Sequence, residues 1–437
     1  MKRDGGIKVM AKKITPFIFA ALCVWMAAVP LFSAETDHGS AIRRLTFSGN
    51  DVVKHPCLSR DGHLMLYTVE MKEGEKTVRA VRLLDIESGK EMEIFKDGLE
   101  KAPSPHEDDY LVLGTKPALL SGDGKTAIFA LSLSNPREIW MDHYLAVVKI
   151  DGKEFTAFSF PIEDLKDEDI RHLGFQSSDW ERVSNYAISH DGQRIACVVK
   201  GHLGPQRFGH PSAVVLIDAA IRRQRTLLAP EFNESEWQWS SYPRCPLTGG
   251  GWAFGLSANG EKVLFGAQSS EDINDYDLYL LEWESDKAQR ITDFHDRWIS
   301  LADISADGQK IVFFYTGKHK QGIGTYVIQS DGAGLKQLES MTAPRVEFLD
   351  MSGNGRYVVF KHVYEGMILD LQDDTEQVVY DEETPGYVEG ITPMEFPPFP
   401  SFWNPRILSY DGKMALLVGP PSGKETSEIY ILHIGAR

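Results

Sequence analysis

The chain has 437 residues, of which 63 are Asp or Glu and 46 are Lys or Arg, so its formal charge is −17. With 42% hydrophobic and 25% charged residues, the composition is that of a globular protein and excludes disorder, collagen and a disulfide scaffold. The acidic balance argues against sequence-independent nucleic-acid binding, which needs a basic surface. Chains of this length commonly form two or three domains, although all-β folds of this size also occur as single domains.

The N-terminal segment, residues 1–34, has the pattern of an export signal. Five basic residues precede an uncharged stretch from Ile14 to Ala34, which is the order found in secretory signal peptides. We expect cleavage near Ser33 or Ala34 and a periplasmic or secreted protein of a bacterial cell envelope. The stretch is also long enough to cross a bilayer, so an uncleaved anchor is the alternative.

The chain beyond this segment contains three cysteines, Cys57, Cys197 and Cys245. An odd number leaves at least one thiol unpaired, and their spacing is not that of a metal or redox motif. Cys57 and Cys197 lie in apolar strand patterns, so we expect both to be buried free thiols.

A short motif, Ser-x-Asp/Asn-Gly, occurs seven times after the signal, with its glycines between 47 and 68 residues apart. The short side chains of Ser and Asp cap a tight turn and Gly supplies its left-handed residue, so each motif is predicted to join two antiparallel strands. This role is structural and not catalytic. The seven copies begin at Ser59, Ser121, Ser189, Ser257, Ser305, Ser352 and Ser409.

Apolar runs flank every motif in the same order, one before it and three after it. Four strands per unit, repeated seven times, predict an all-β fold: one seven-bladed β-propeller spanning residues 42–437. The last unit has predicted strands near 404–409, 414–419 and 428–434 but lacks a fourth. Residues 42–47 resemble a fourth strand with no unit before it, so this segment is predicted to complete the last blade and close the ring.

The unit resembles the propeller repeat of the TolB-like family. The resemblance rests on the Leu45-Thr46 start, the Ser-x-Asp-Gly turn, a β-run ending in Phe or Tyr and a following Ile/Leu-Tyr strand, and it covers residues 42–437. It implies a propeller fold and a periplasmic location but no particular function. The family's namesake has six blades and an additional N-terminal α/β domain, for which we expect no room here, so an exported relative is expected.

Long insertions are predicted on one face of the ring. The Ser-x-Asp-Gly turns lie on one face of such a propeller, and the loops between strands two and three and between blades lie on the other. Long loops gathered on one face are typical of a binding face. Their many aromatic residues either anchor a partner or form small cores within the loops. The insertions are residues 96–115, 133–142, 161–182, 201–210, 229–250 and 381–402.

Arginines that precede the innermost strands are candidate ligand-binding residues on this face. Radial repetition would arrange them around the channel mouth as a basic collar for a carboxylate or a peptide C-terminus. The alternative is that they pair with loop carboxylates. Tryptophans in the same loops and strand entries are further candidates. The residues are Arg182, Arg297, Arg345, Trp180, Trp298 and Trp403, and Lys54 and Lys116 also lie a few residues before their motifs.

These observations favour a non-enzymatic propeller without a cofactor. It is expected to be a monomer that binds a protein or peptide on the long-loop face, does not bind nucleic acid, and contacts a membrane only through an uncleaved N-terminal segment. No nucleophile elbow, phosphate loop or His-Glu-x-x-His motif is present. The alternative is a metal-dependent or polysaccharide-active enzyme, because seven-bladed oligogalacturonate lyases resemble the chain in repeat type and bind a divalent metal with histidines inside the ring.

The export signal predicts the N-terminus of the mature protein. When the full chain is expressed in a bacterial host, we expect it in the periplasmic fraction with a first residue close to Glu35, since signal peptidase removes a segment of this kind. N-terminal sequencing and intact mass measure this. Full-length protein that sediments with membranes would identify the apolar stretch as an anchor.

Overall fold

The structure is a computed structural model. It describes residues 42–46, 51–97, 110–113, 117–134, 143–152, 154–159, 180–201, 212–221, 223–227, 254–268, 276–285, 288–294, 297–317, 323–338, 346–362, 365–378, 406–419 and 428–434. All regular secondary structure in these ranges is β-strand. Within them, no helix has the length and hydropathy needed to cross a membrane.

The strands follow the motif in chain order. β1 (Ile42–Arg44) precedes the first complete unit. Blade 1 contains β2 (Val52–Leu58), β3 (Leu64–Glu73), β4 (Lys76–Asp85) and β5 (Glu91–Lys96). Blade 2 contains β6 (Tyr110–Leu113), β7 (Leu119–Leu120), β8 (Thr126–Ser134), β9 (His143–Lys149) and β10 (Glu154–Ser159). Blade 3 contains β11 (Trp180–Ile188), β12 (Arg194–Gly201), β13 (Ser212–Asp218) and β14 (Arg223–Leu227).

The remaining four blades continue the same order. Blade 4 contains β15 (Phe254–Leu256), β16 (Lys262–Gln268), β17 (Tyr276–Glu282) and β18 (Ala288–Arg290). Blade 5 contains β19 (Arg297–Ile304), β20 (Lys310–Gly317), β21 (Gly324–Gln329) and β22 (Lys336–Gln337). Blade 6 contains β23 (Val346–Met351), β24 (Tyr357–His362), β25 (Glu365–Asp370) and β26 (Thr375–Val378). Blade 7 contains β27 (Met414–Gly419) and β28 (Glu428–His433).

These strands form seven antiparallel sheets, and the predicted seven-bladed propeller is confirmed. The inner position of blade 2 is divided between β6 and β7, which both pair with β8. In blade 7 the strand predicted near 404–409 is reduced, among the described residues, to one β-bridge between Leu408 and Ala415.

The N-terminal strand closes the ring, as predicted. β1 pairs antiparallel with β28, with Ile42 opposite Leu432, and so occupies the outer position of blade 7. It ends at Arg44, earlier than the predicted 47. Beyond it, the Thr46 hydroxyl donates to Glu428 Oε2 (2.6 Å) and accepts from the Ile429 N–H (2.9 Å). Arg44 donates to the other oxygen of Glu428 (2.6 Å). Side-chain hydrogen bonds therefore extend the short backbone pairing.

All seven turns use one hydrogen-bond pattern. The Ser Oγ donates to the Asp or Asn Oδ1 over 2.6–2.8 Å. The same Oδ1 accepts the N–H of the residue after Gly, and the Ser Oγ accepts the next N–H, as at His63 (3.1 Å) and Leu64 (2.9 Å). Each motif Gly has a φ between 65° and 75°, which favours glycine. The turn chemistry predicted from the sequence is confirmed.

The hydrophobic core lies between neighbouring sheets. One cluster joins blades 1, 2 and 3, and another joins blade 7 to blade 1. Cys57 and Cys197 belong to the first of these and are buried free thiols, as predicted. Burial raises the pKa of both thiols, so they stay protonated.

Ring closure depends on the Thr46 hydroxyl, and a pair of matched substitutions tests this. Thr46→Val leaves Glu428 and the Ile429 N–H each without one buried partner, so we expect a loss of about 1–3 kcal/mol in the free energy of unfolding. Thr68→Val is the control: Thr68 Oγ1 is buried and has no hydrogen-bond partner among the described residues. This change should leave the stability unchanged or raise it. Urea unfolding midpoints measure both, and equal effects would contradict the prediction.

Candidate ligand-binding site in the axial channel

Backbone hydrogen bonds link the turns of neighbouring blades around the propeller axis. In every link, an N–H of one turn donates to the carbonyl of residue x, the second residue of the motif, in the following blade. The N···O distances are 2.7–3.1 Å, and blade 7 donates to blade 1, so the circle is closed. We call this circle the turn ring. Its acceptors are the carbonyls of Arg60, Gly122, His190, Ala258, Ala306, Gly353 and Tyr410.

Two of the ring glycines leave room for large side chains at the axis. A Cβ on Gly122 would collide with the side chains of His190 and Arg60, and a Cβ on Gly353 would collide with the Tyr410 ring. The guanidinium carbon of Arg60 lies 5.4 Å from the centroid of the Tyr410 ring, a cation–π contact. The ring therefore presents a cation, an imidazole and an aromatic side chain together.

An axial cavity of about 70 Å³ lies beside the turn ring. This volume accommodates roughly five water molecules, or one small charged group with a few atoms bonded to it. Residues from the inner strands of all seven blades line it, namely Cys57, Leu58, Leu119, Leu120, 185–188, 254–256, Asp303, Ile304, Asp350, Met351, Arg406 and Leu408, with Ser59, Arg60, Ala306, Gly353 and Tyr410 from the turns.

Arg406 reaches across this cavity. Its Nη2 donates to the carbonyl of Ile188 in blade 3 over 2.8 Å, although Arg406 itself lies at the entry to blade 7. Its Nη1 is buried and has no hydrogen-bond partner among the described residues. A buried donor of this kind costs free energy until a partner accepts from it.

Arg60 is a second cation at the same place. Burial and the charge of Arg406 lower its pKa to about 9, which still leaves the guanidinium protonated at neutral pH. Partial burial and Arg60 also lower the pKa of His190, so this imidazole is neutral at neutral pH. The positive charge of the site therefore rests on the two arginines.

Two aspartates also line the cavity, and both accept hydrogen bonds from backbone N–H groups. Asp303 accepts from the N–H groups of Ile304 (2.8 Å) and Met351 (2.9 Å). Asp350, which is 2% exposed, accepts from the N–H groups of Ile407 and Leu408 at 2.8 Å. Each carboxylate thus connects its blade to the next.

Burial raises the pKa of Asp303, and burial together with the charge of Asp303 raises the pKa of Asp350 well above its usual range. Within the described ranges, no carboxylate forms an ion pair with Arg60 or Arg406. The arginines therefore have no direct carboxylate partner among the described residues, although their charges act against the rise in the pKa of Asp303.

Four of the residues predicted around the channel mouth lie on described backbone, at the ends of inner strands opposite the turns. The backbone places Trp180 and Arg182 at the start of β11, and Arg297 and Trp298 at the start of β19. Their side chains are outside the described part of the molecule, as are Arg345, Trp403 and Lys116 altogether. Lys54 pairs with Glu70 at 2.8 Å, in line with the paired alternative. The collar itself stays a prediction.

The axial residues were not predicted, although the amino-acid sequence contains two signals for them. Residue x of each motif was interpreted only as part of a turn, whereas its carbonyl forms the turn ring. Asp303 and Asp350 each stand two residues before the motif Ser, a position that holds an apolar residue or Gly in the other units. A charged residue in that place points to the channel.

No cluster of three or more His, Cys, Asp or Glu side chains in the described ranges could hold a metal ion.

Comparison with known proteins supports the fold and no family. No protein-family model matches the chain, and no curated protein sequence matches it. An oligogalacturonate lyase in complex with manganese is 13% identical with a TM-score of 0.57, covering 90% of this chain and 93% of its own. An oligogalacturonate lyase from Vibrio parahaemolyticus is 10% identical with a TM-score of 0.55 and the same coverage.

The resemblance to TolB has less structural support. A putative TolB from Agrobacterium tumefaciens is 15% identical, covering 83% of this chain and 99% of its own, with a TM-score of only 0.39. Identities this low indicate a shared fold alone. The chain is therefore a seven-bladed propeller with propeller neighbours of differing functions.

The buried aspartates predict a change of stability with pH. Because the pKa of Asp350 is raised in the folded state, stability falls as the pH rises through that pKa. Asp350→Asn keeps an oxygen that accepts from Ile407 and Leu408 but cannot ionise, so we expect it to raise the unfolding midpoint at pH 8 and to change it little at about pH 4.

Asp370→Asn is the control with the opposite sign. Although burial raises the pKa of Asp370, hydrogen bonds from Arg356 and the Gln372 N–H outweigh burial and lower it. Its contribution to stability is therefore present at pH 8 and lost in acid. Urea unfolding of both variants at the two pH values measures the effect. An Asp350→Asn protein less stable than wild type at pH 8 would contradict the assignment.

Proposed function

We propose that the protein is a non-enzymatic binding propeller of the cell envelope, and that a protein or peptide partner inserts an acidic group into the axial cavity. One observation carries the proposal: Arg60 and Arg406 meet in a cavity on the axis, and no carboxylate of the described residues pairs with either.

The electrostatic argument favours an anionic ligand. The Arg406 guanidinium is satisfied only in part: Nη2 donates to the Ile188 carbonyl, whereas the buried Nη1 has no hydrogen-bond partner among the described residues and therefore costs free energy. An acidic group from a partner would accept from the free Nη1 of Arg406 and relieve the repulsion between the two arginines. Charge-assisted hydrogen bonds to Arg are among the stronger contacts in recognition. Binding of an acidic group would therefore offset the free-energy cost of the buried donor that has no partner in the unliganded propeller.

The long insertions are the proposed platform for the body of the partner. They are predicted on the opposite face from the turns, and the channel connects the two faces along the axis of a propeller. The export signal in residues 1–34 supports a periplasmic or secreted location.

The alternative is a metal-dependent or polysaccharide-active enzyme. The lyase with manganese is similar to this chain in fold only. The described residues offer no ligand set that fits such a metal. Stoichiometric divalent metal in protein purified at neutral pH would favour the enzyme.

Partner capture tests the proposed function. Immobilised wild-type protein, Arg60→Glu and the surface control Arg356→Glu are exposed to the same envelope extract. We expect partner proteins retained by wild type to be reduced roughly tenfold or more by Arg60→Glu, because reversal of a charge in the site costs a charge-assisted contact and adds repulsion. Arg356→Glu makes the same change of net charge outside the channel and should retain them.

A fourth immobilised protein, a deletion variant, tests the long-loop face independently of the axial cavity. Deletion of residues 381–402 should weaken capture if the long insertions hold the body of the partner. Equal capture by Arg60→Glu and Arg356→Glu, each folded by circular dichroism, would overturn the role of the axial cavity.

A further inference from the structure

The axial site has features that select among anions, and the first is its geometry. Arg406 is held in place because its Nη2 donates to the Ile188 carbonyl. The remaining terminal nitrogen, Nη1, has no partner in the described part of the protein. Arg60, which is positioned over the Tyr410 ring, lines the same cavity as Arg406, so the cavity brings two guanidinium groups to one ligand-sized space.

The second feature is charge. Asp303 and Asp350 line the same cavity, so an entering anion meets two cations and two acidic groups. Cys57 and Tyr410 also line the cavity. Attraction by the arginines and repulsion by the aspartates both grow in proportion to the charge of the ligand. The cost of removing the ligand from water grows with the square of its charge, so a monoanion enters the cavity more readily than a dianion such as phosphate.

The third feature is size. A cavity of about 70 Å³ is large enough for a carboxylate and a few further atoms. A carboxylate is also planar and accepts from guanidinium groups through both oxygens.

We propose that the cavity is a carboxylate site, in which Arg406 Nη1 and Arg60 bind one monoanionic carboxylate at the propeller axis. This rests on the proposed function and gives the chemical class of the group that the partner inserts. The carboxylate has two possible sources, a free small acid and the C-terminus of a peptide, and their chemistry at the arginines is the same.

Titration calorimetry at pH 7 and constant ionic strength tests the proposal. The probes are acetate, N-acetylglycine, N-acetylglycinamide and inorganic phosphate. We expect N-acetylglycine and acetate to bind, the amide not to bind, and phosphate to bind more weakly than either carboxylate. Tighter binding of N-acetylglycine than of acetate would identify a peptide C-terminus as the source, and equal binding a free small acid.

Variants assign the binding to the two arginines. Arg406→Gln keeps a hydrogen-bond donor but loses the charge, and we expect roughly a tenfold or greater rise in the dissociation constant of N-acetylglycine. Arg60→Gln, at the half-buried edge of the cavity, gives the second test if Arg406→Gln does not fold. Arg356→Gln removes the same charge from the outer part of blade 6 and should bind as wild type does.

Several outcomes overturn the proposal. These are phosphate binding as tightly as the carboxylates, binding of the amide, carboxylate affinity unchanged in both arginine variants, and absence of binding by any probe. If the probes fail to bind while Arg60→Glu still abolishes partner capture, the carboxylate assignment fails and the proposed function stands. If capture is also unaffected, both fail.

Discussion

The closed circle of backbone hydrogen bonds in the turn ring is the constraint on which the architecture depends. Each Ser-x-Asp-Gly turn is stiffened internally by its Ser and Asp side chains, so the carbonyl of residue x is held in a fixed direction. Seven such carbonyls accept from seven neighbouring turns. A repeated local turn thereby determines how the blades are spaced around the axis, and the β1–β28 pairing completes the circle at the outer edge of blade 7.

The turn ring also determines what stands at the axis. Because the carbonyl of every residue x accepts a hydrogen bond from the turn of the preceding blade, the side chains of these residues are brought together regardless of their distance in sequence. Gly at 122 and 353 makes space, and Arg60, His190 and Tyr410 use it. Arg406 then extends across the cavity to blade 3. The turn ring thus both links neighbouring blades and brings charged side chains together at the axis.

The two aspartates at the axis interact mainly with the backbone and not with the neighbouring arginines. Asp303 accepts from the N–H groups of Ile304 in its own blade and Met351 in the next, and one oxygen of Asp350 accepts from Ile407 and Leu408. Both aspartates thereby link neighbouring blades, and neither forms an ion pair with the arginines in the described ranges. The two roles are separable: an Asn at position 350 retains the hydrogen-bond acceptor and loses the charge. A propeller that is acidic overall thereby has two arginines at its axis that no carboxylate of the described residues pairs with directly.

Much of the fold was predictable from the sequence because its signals are local. Seven copies of a four-residue motif, with apolar runs of fixed order around them, predicted the number of blades, the turn chemistry and the closing strand at residues 42–47. The buried thiols Cys57 and Cys197 followed from the same apolar patterns. Each of these depends on neighbours within about ten residues, where strand and turn preferences act.

The axial site, in contrast, was decided by the tertiary structure alone. Arg60 and Arg406 are far apart in the chain, and the sequence analysis placed its basic collar at other arginines, near the opposite ends of the inner strands. Closure of the ring brings the first and last units side by side, so residues from both ends of the chain share one cavity. Local signals in the sequence are sufficient to predict a seven-bladed propeller with structural turns. Which charges meet at its axis depends on the closed ring, because neighbours around the axis are set by the order of the blades and not by distance along the chain.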